Sequence, residues 1–140
     1  VWDYNNSFDN YQWFPMDKNS FYITEAPWFD RLLADPSFAE NVVSRYRSLR
    51  ESTLSDEHID EVLSSGEALI AEAAARNFSV WEYTFHINLM NDDNGVERDI
   101  SSYEDALMQL RSVIEQRLSF MDEHIDFFVC MPVCVPWHIL

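Results

Sequence analysis

The chain has very little glycine and very little positive charge. Its 140 residues include two glycines, so it contains no glycine-rich loop of the kind that cradles the phosphates of a nucleotide. Nine Lys and Arg residues against 25 Asp and Glu residues give a formal net charge of -16 and a pI near 4.3. Because a phosphate backbone requires clustered cationic side chains, this composition excludes nucleic acid as a partner and disfavours anionic membrane surfaces.

Cysteine is also scarce, and no apolar run is long enough to cross a bilayer. Cys130 and Cys134 are too few for a disulfide framework and have no His partners at zinc-ligand spacing. We expect a structural pair or inert buried thiols, and the sequence leaves their disulfide state open. The apolar run 127–140 contains Pro132 and Pro136 and is shorter than the ~20 residues that a membrane-spanning helix needs.

Apolar residues make up 47% of the chain and aromatic residues 15%, which is typical of one globular domain with a core of its own. The first residue is not Met, so we expect a piece of a longer protein that begins in mid-domain. No secretory leader is visible, and a chain of that kind would not show one. The sequence does not indicate an oligomeric state.

Helical signals dominate the middle of the chain. Proline at the first turn predicts a short helix over 27–33. Asp35 is an N-cap followed by Pro36, and the apolar spacing after it predicts a helix from residue 36 to about residue 50.

A third helix is predicted after the N-cap Ser55, and we expect it to end near Asn77. Its Gly66 weakens the helix but permits a close contact with a neighbouring helix. Apolar residues at helical spacing form one stripe along it. They are Ile59, Val62, Leu63, Leu69, Ile70, Ala73 and Ala74.

The longest predicted helix begins at Ser101, which forms a capping box with Glu104. Seven apolar residues then recur at alternating spacings of three and four, so one long stripe is expected to be buried. They are Tyr103, Leu107, Leu110, Ile114, Leu118, Met121 and Ile125. The predicted fold class is therefore mainly α.

The sequence allows a short β-hairpin between residues 83 and 100, since Asn94-Gly95 is a hairpin-turn dipeptide. The same acidic turn resembles a calcium loop with Gly95 at its sixth position. Met90 and Ser101 then occupy the first and twelfth positions, where carboxylates are required, so a solvated turn is expected. Residues 1 to about 25 are expected to form an ordered loop with a short strand or a helical turn.

The first ten residues hold the densest set of oxygen ligands in the chain. Asp3 lies beside Asn5, and the rings of Trp2, Tyr4 and Phe8 flank them. A carboxylate among buried rings needs a partner or a metal to stay charged, and Mg²⁺ is commonly held by one or two carboxylates with phosphate and water. Asp3 and Asn5 are therefore a candidate metal half-site, and the alternative is that Asp3 caps a turn.

No catalytic residue is assigned to the remainder of the chain. Its histidines lie far apart and without metal-ligand spacing, and none is expected to act in catalysis. The arginines of the helices are expected to pair with carboxylates rather than with phosphate. The histidines are His58, His86, His124 and His138, and these arginines are Arg31, Arg45, Arg47, Arg50 and Arg76.

The segment Trp2-Asp3-Tyr4-Asn5-Asn6-Ser7-Phe8-Asp9-Asn10 resembles the W-D-x-D-x-S/T-F-G-N segment of the CotH spore-coat kinase family. Later stretches are similar to the sequence that follows this segment in the family, and their order and spacing carry the resemblance to about residue 126. These stretches are residues 28–33, 35–38, 45–50, 76–78 with Trp81, and 117–122.

The resemblance implies an atypical protein kinase-like fold, in which residues 1–126 form the helical C-terminal portion of the large lobe and residues 127–140 an apolar tail. It also implies that Asp3 holds the magnesium or manganese ion that bridges the phosphates of ATP. Asn5 replaces the family's second acid and Asp9 replaces its Gly, which weakens the metal site. The family's lysine, catalytic-base Asp and covering loop precede this stretch, so the fragment alone is expected to be inactive and to bind no cofactor.

The expected full-length protein is a bacterial kinase, secreted or on the cell surface or spore coat, that phosphorylates protein substrates. The alternative is a pseudokinase or non-catalytic helical scaffold, whose acidic surface recruits a coat or cell-surface protein. The sequence identifies neither the substrate nor the role of residues 127–140.

Overall fold

The computed structural model describes residue 8 and residues 17–21, 27–86 and 100–130, and within these ranges the chain is helical and contains no strand. The mainly α fold class is therefore confirmed. None of the described helices is long and apolar enough to cross a membrane. The helices are α1 (Pro27–Leu33), α2 (Pro36–Arg50), α3 (Asp56–Trp81), a 3-10 helix (Glu82–His86), α4 (Tyr103–His124) and α5 (Phe127–Cys130).

The first helices begin where local capping predicts. Oδ1 of Asp35 accepts hydrogen bonds from the backbone N–H groups of Ser37 and Phe38, at 2.8 and 3.3 Å. The hydroxyl of Ser55 accepts from the N–H of His58 at 3.2 Å. Each bond satisfies a donor that the first turn of a helix leaves without a partner, so both predicted helix starts are confirmed.

The predicted start of α4 is wrong by one residue, and α4, with 22 residues, is not the longest helix, since α3 has 26. Ser102, rather than Ser101, is the cap, and its hydroxyl accepts from the N–H of Asp105 at 3.0 Å. Asp105 in turn accepts from the hydroxyl and the N–H of Ser101, at 2.6 and 3.1 Å. These bonds lower the pKa of Asp105, and the bond from the Ser101 hydroxyl contributes most to this shift. The carboxylate of Asp105 thus takes the role that the sequence assigned to Glu104.

The predicted end of α3 and the predicted hairpin also require correction. Helix α3 continues past Asn77 to Trp81, and residues 83–86 belong to the 3-10 helix rather than to a strand. The ring of Phe78 packs on Phe85 and Tyr103, at centroid distances of 5.0 and 5.1 Å. This packing holds β-branched and aromatic residues in helical conformation against their local preference. The rest of the hairpin, with the acidic turn at Asn94-Gly95, lies outside the described residues.

The chain divides into two compact units, and one comprises residues 20–64 and 119–140. We call it the second unit. In it, α2 packs on both α1 and α5. Phe21 lies at the centre of an aromatic group, with its ring centroid 4.9 Å from Phe120 and 4.6 Å from Phe128. The buried core residues of this unit are Leu33, Ala39, Val43, Tyr46, Ile125 and Phe128.

The first unit comprises residues 1–19 and 65–118. Val113 of α4 is its best-buried side chain among the described residues, with 1% of its surface exposed. By contrast, Leu69 of the predicted α3 stripe is 86% exposed. A Cβ at Gly66 meets no described atom within 4 Å. The close helix contact that this glycine permits is therefore not made by the part of the chain that the structure describes.

Candidate functional site

The predicted metal half-site at Asp3 and Asn5 lies outside the described residues, so its geometry stays a prediction. Phe8 belongs to the same segment and has a φ of 54°, which is the left-handed conformation. For a bulky residue this conformation costs roughly 1–2 kcal/mol, and such strain concentrates at functional segments. Within the described ranges, no group of three or more His, Cys, Asp or Glu side chains could hold a metal ion.

A polar cluster in the second unit joins two of the stretches that carry the family resemblance. The hydroxyl of Tyr46 on α2 donates to Oδ1 of Asp122 on α4 at 2.7 Å. Arg50, one turn after Tyr46, donates through Nε to both carboxylate oxygens of Asp122, at 3.0 and 3.1 Å. We call Tyr46, Arg50, Asp56 and Asp122 the Asp122 cluster, and it fixes the end of α4 to the last turns of α2.

Arg50 is the hub of the Asp122 cluster. Its side chain is 19% exposed, and besides Asp122 it pairs with Asp56 at 2.9 Å. Nη1 also donates to the carbonyl oxygen of Leu54 in the turn between α2 and α3. Burial by itself lowers the pKa of Arg50, but the hydrogen bonds to Asp122 and Asp56 outweigh it and raise that pKa. The guanidinium is therefore a fixed cation that holds this turn against α2.

Tyr46 acts in the cluster as a donor and not as a base. Burial raises the pKa of its phenol, and the hydrogen bond and negative charge of Asp122 raise it further. The phenol therefore keeps its proton well above neutral pH and continues to donate to the carboxylate. The bond between Tyr46 and Asp122 therefore positions α2 against α4, and the Tyr46 phenol is not a candidate reactive group.

The other arginines behave largely as the sequence predicts. Arg47 contacts Asp126 at 2.6 Å, and both side chains are more than half exposed. Arg76 lies 3.6 Å from Glu72, one turn earlier on α3. The expectation that helix arginines pair with carboxylates is confirmed for Arg47, Arg50 and Arg76.

His58 and His124 lie at the surface, as expected, with side chains that are about half exposed. His58 is 3.8 Å from Glu61, and the ring of His124 stacks on Phe120 at 4.6 Å. The expectation of buried cysteines is wrong for Cys130, which is a free and exposed thiol at the end of α5. Cys134 lies outside the described residues.

The pairing of Tyr46 and Arg50 with Asp122 was missed by sequence reasoning, although all three residues lie in stretches that carry the resemblance. Tyr46 and Arg50 are four residues apart and so share one face of α2, which was the available signal. Nothing in one sequence indicates which of the many carboxylates meets that face.

Comparison with known proteins supports the family resemblance along most of the chain. The family model described as CotH kinase protein matches residues 1–121. The match includes Asp3, Asn5 and the α2 members of the Asp122 cluster. No curated protein and no solved structure matches the chain. Since the family match spans well over half of the 140 residues, this chain belongs to the CotH kinase protein family.

Proposed function

We propose that this chain is the helical C-terminal portion of the large lobe of a CotH-like protein kinase. The complete protein would transfer a phosphoryl group from ATP to protein substrates. The observation that carries the proposal is the family match over residues 1–121, which spans the acidic opening segment together with α1, α2 and α3. Residues 1–126 would form the kinase-like segment, with residues 127–140 appended to it.

In the complete protein, Asp3 and Asn5 would hold the metal ion. A carboxylate and an amide carbonyl are the hard oxygen ligands that Mg²⁺ and Mn²⁺ accept, so the donor types fit. When bound, the ion would supply positive charge to offset the negative charge that develops on the transferred phosphate. Asn5 contributes an oxygen without a negative charge, so this site should bind the ion more weakly than one with two acids.

The isolated chain is proposed to be inactive. Phosphoryl transfer requires a cation on the phosphates and a loop that covers them. The chain has a single lysine, Lys18, and two glycines. The carbonyl of Lys18 accepts a hydrogen bond from Arg117 at 2.7 Å, which places its backbone beside α4 in the first unit. The residues that grip ATP would then come from the rest of the complete protein.

A pseudokinase or non-catalytic helical module is the second candidate, and Asn5 at the position of an acid is the observation that favours it. Such a module would recruit a coat or cell-surface protein through its acidic surface. For either function, the proposed location is the spore coat, cell surface or exterior of a bacterium, in keeping with the spore-coat kinase family that the sequence resembles.

The test compares four forms of the full-length protein with Mg²⁺ or Mn²⁺ and labelled ATP: wild type, Asp3→Ala, Asn5→Asp and Glu40→Ala. Asp3→Ala should reduce phosphate transfer about a hundredfold or more, because it removes the charged ligand. Asn5→Asp should lower the metal concentration required, since it restores a second negative charge. Glu40 is an exposed carboxylate of α2, so Glu40→Ala is the matched control and should leave transfer unchanged.

Direct Mn²⁺ binding by electron paramagnetic resonance gives a readout that does not depend on activity. If wild type and Asp3→Ala transfer phosphate equally, the metal assignment is wrong. If every form is inert but Asp3→Ala alone loses Mn²⁺, the protein is a metal-binding pseudokinase. If every form is inert and none binds Mn²⁺, the kinase proposal fails and the scaffold function remains.

A further inference from the structure

A cleft of about 390 Å³ lies within the first unit, between the later part of α3, the 3-10 helix and the start of α4. This volume is in the range of small-ligand sites. Its lining combines three kinds of side chain: alanines of α3, the rings of Phe78, Phe85 and Tyr103, and carboxylates that include Glu82 and Glu104. A cleft with apolar walls and a few charged groups has the composition of a binding site rather than of a packing defect.

The aromatic rings form a continuous wall. Phe78 lies centrally, with its centroid 5.0 Å from that of Phe85 and 5.1 Å from that of Tyr103. The face of an aromatic ring carries negative electrostatic potential and attracts organic cations. The hydroxyl oxygen of Tyr103 is buried and finds no hydrogen-bond partner among the described residues. A buried oxygen of this kind is stabilised by a ligand that donates a hydrogen bond.

The carboxylates of the cleft differ in their partners. Glu67 also lines it and is bound by Arg111 at 3.2 Å, which neutralises it. Glu82 and Glu104 form no ion pair with any residue in the described ranges. Two negative charges therefore remain beside the aromatic wall, in a chain whose net charge of -16 attracts cations.

The lining favours an organic cation over a metal ion. Hard metal ions require several oxygen ligands at close range, and the described residues bring together no such group. An alkylammonium or guanidinium ion instead needs one or two carboxylates for its charge and an apolar surface for its stem.

We propose that this cleft binds an organic cation of the alkylammonium or guanidinium class. Its charge lies against Glu82 and Glu104, and its apolar stem lies on the rings of Phe78, Phe85 and Tyr103. A free amine and the side chain of Lys or Arg in a protein partner carry the same chemistry. The residues that carry this proposal do not include Asp3 or Asn5 of the proposed kinase, and occupancy of the cleft does not depend on phosphoryl transfer.

The experiment titrates the 140-residue chain, ¹³C-labelled in its Phe and Tyr rings, with n-butylammonium chloride and follows the ring resonances by NMR. Saturable shifts should appear at Phe78, Phe85 and Tyr103. n-Butanol, which has the same stem without the charge, should bind more weakly. Sodium chloride at the same ionic strength should cause no saturable shift, which separates binding from general screening of the acidic surface.

Isosteric variants test the two carboxylates. Glu82→Gln and Glu104→Gln should each weaken n-butylammonium binding about threefold, as expected for a partly exposed charge pair. Glu72→Gln is the matched control, because Glu72 lies on α3 outside the cleft and its side chain is 95% exposed. It makes the same change in net charge and should leave the affinity unchanged. Unperturbed ring resonances in the free variants show that they are folded.

Two further titrations distinguish the sources of the cation. Tighter binding of a blocked lysine peptide than of spermidine assigns the cleft to a protein partner, and the reverse assigns it to a free polyamine. The proposal is overturned if no cation shifts these rings saturably, if n-butanol binds as well as n-butylammonium, or if Glu72→Gln weakens binding as much as the cleft variants do.

Discussion

Replacing Tyr46 with Phe removes one hydroxyl from the core of the second unit and retains the ring. The lost contact is a 2.7 Å hydrogen bond to the ionised carboxylate of Asp122. Hydrogen bonds to charged groups contribute about 1.5–3 kcal/mol. The Asp122 side chain is 41% exposed and keeps its contacts with Arg50, so water can replace the lost donor. We therefore expect the lower end, a loss of about 1.5 kcal/mol from the free energy of unfolding.

Urea denaturation followed by circular dichroism measures this loss. The midpoint for Tyr46→Phe should fall by about 1 M while the slope stays unchanged. Tyr83→Phe is the matched control, because Tyr83 is half exposed and its ring, which contacts Trp81 at 5.9 Å, is retained. Its effect should stay within about 0.5 kcal/mol. Equal effects of the two substitutions would refute the role given to the Tyr46 hydroxyl.

The raised pKa of Tyr46 adds a pH dependence. An unfolded tyrosine ionises near pH 10, whereas the folded phenol keeps its proton to higher pH. Its contribution is therefore complete below about pH 10 and is lost as the pH rises from there toward the folded pKa, by up to about 1.4 kcal/mol per pH unit. Wild type and Tyr46→Phe should converge in stability over this alkaline range. A difference between them that stays constant to the highest pH measured would contradict this assignment.

Three more stability changes follow from the structure, each measured by urea denaturation. Arg50→Ala should cost about 2 kcal/mol, because it removes the pairs with Asp122 and Asp56 and the bond to the Leu54 carbonyl from a side chain that is 19% exposed, whereas Arg47→Ala breaks an exposed pair and should cost less than about 1 kcal/mol. Equal losses would contradict this ranking. Asp35→Ala removes the cap of α2 and should cost about 1 kcal/mol, and a neutral result would show that Pro36 starts the helix unaided. Val113→Ala should cost about 2 kcal/mol, because Val113 is buried, and Leu69→Ala less than about 0.5 kcal/mol, because Leu69 is exposed. A larger loss for Leu69→Ala would show that the apolar stripe of α3 is part of the core, as the sequence predicted.

Helix starts were more predictable than helix ends. The caps at Asp35 and Ser55 are confirmed because a cap is a contact between residues two or three apart, which the sequence displays directly. The end of α3 was misplaced because Phe78 packs on Tyr103, which is 25 residues away in sequence, and local helix propensity does not include such contacts. At the start of α4, the sequence offers two similar capping boxes, Ser101 with Glu104 and Ser102 with Asp105. The structure uses the second pair.

The two candidate sites also differ in how far the sequence predicts them. Asp3 and Asn5 were found from a short run of residues that match a family segment, and their joint role in metal binding stays a prediction. The cleft in the first unit was not predicted, because its rings and carboxylates come from three elements whose meeting depends on packing. Residue types that carry chemistry can be read from a sequence, whereas their convergence cannot.

Composition, helical periodicity and capping residues by themselves determined that this chain is acidic and mainly helical, and the match of its segments to a family model over residues 1–121 showed that it belongs to the CotH kinase protein family. Acidity follows from residue counts alone, whereas the helices and the family match depend on the order of residues along the chain. Tertiary structure decided which carboxylate receives Tyr46 and Arg50 and where α3 ends. It also decided which apolar residues are buried, since Ala74 is the one buried member of the predicted α3 stripe and Ile125 the one buried member of the stripe predicted to be buried along α4. The physical reason is that burial and charge pairing depend on residues far apart in sequence, and one helix face with many acidic candidates does not specify its partner until the helices pack.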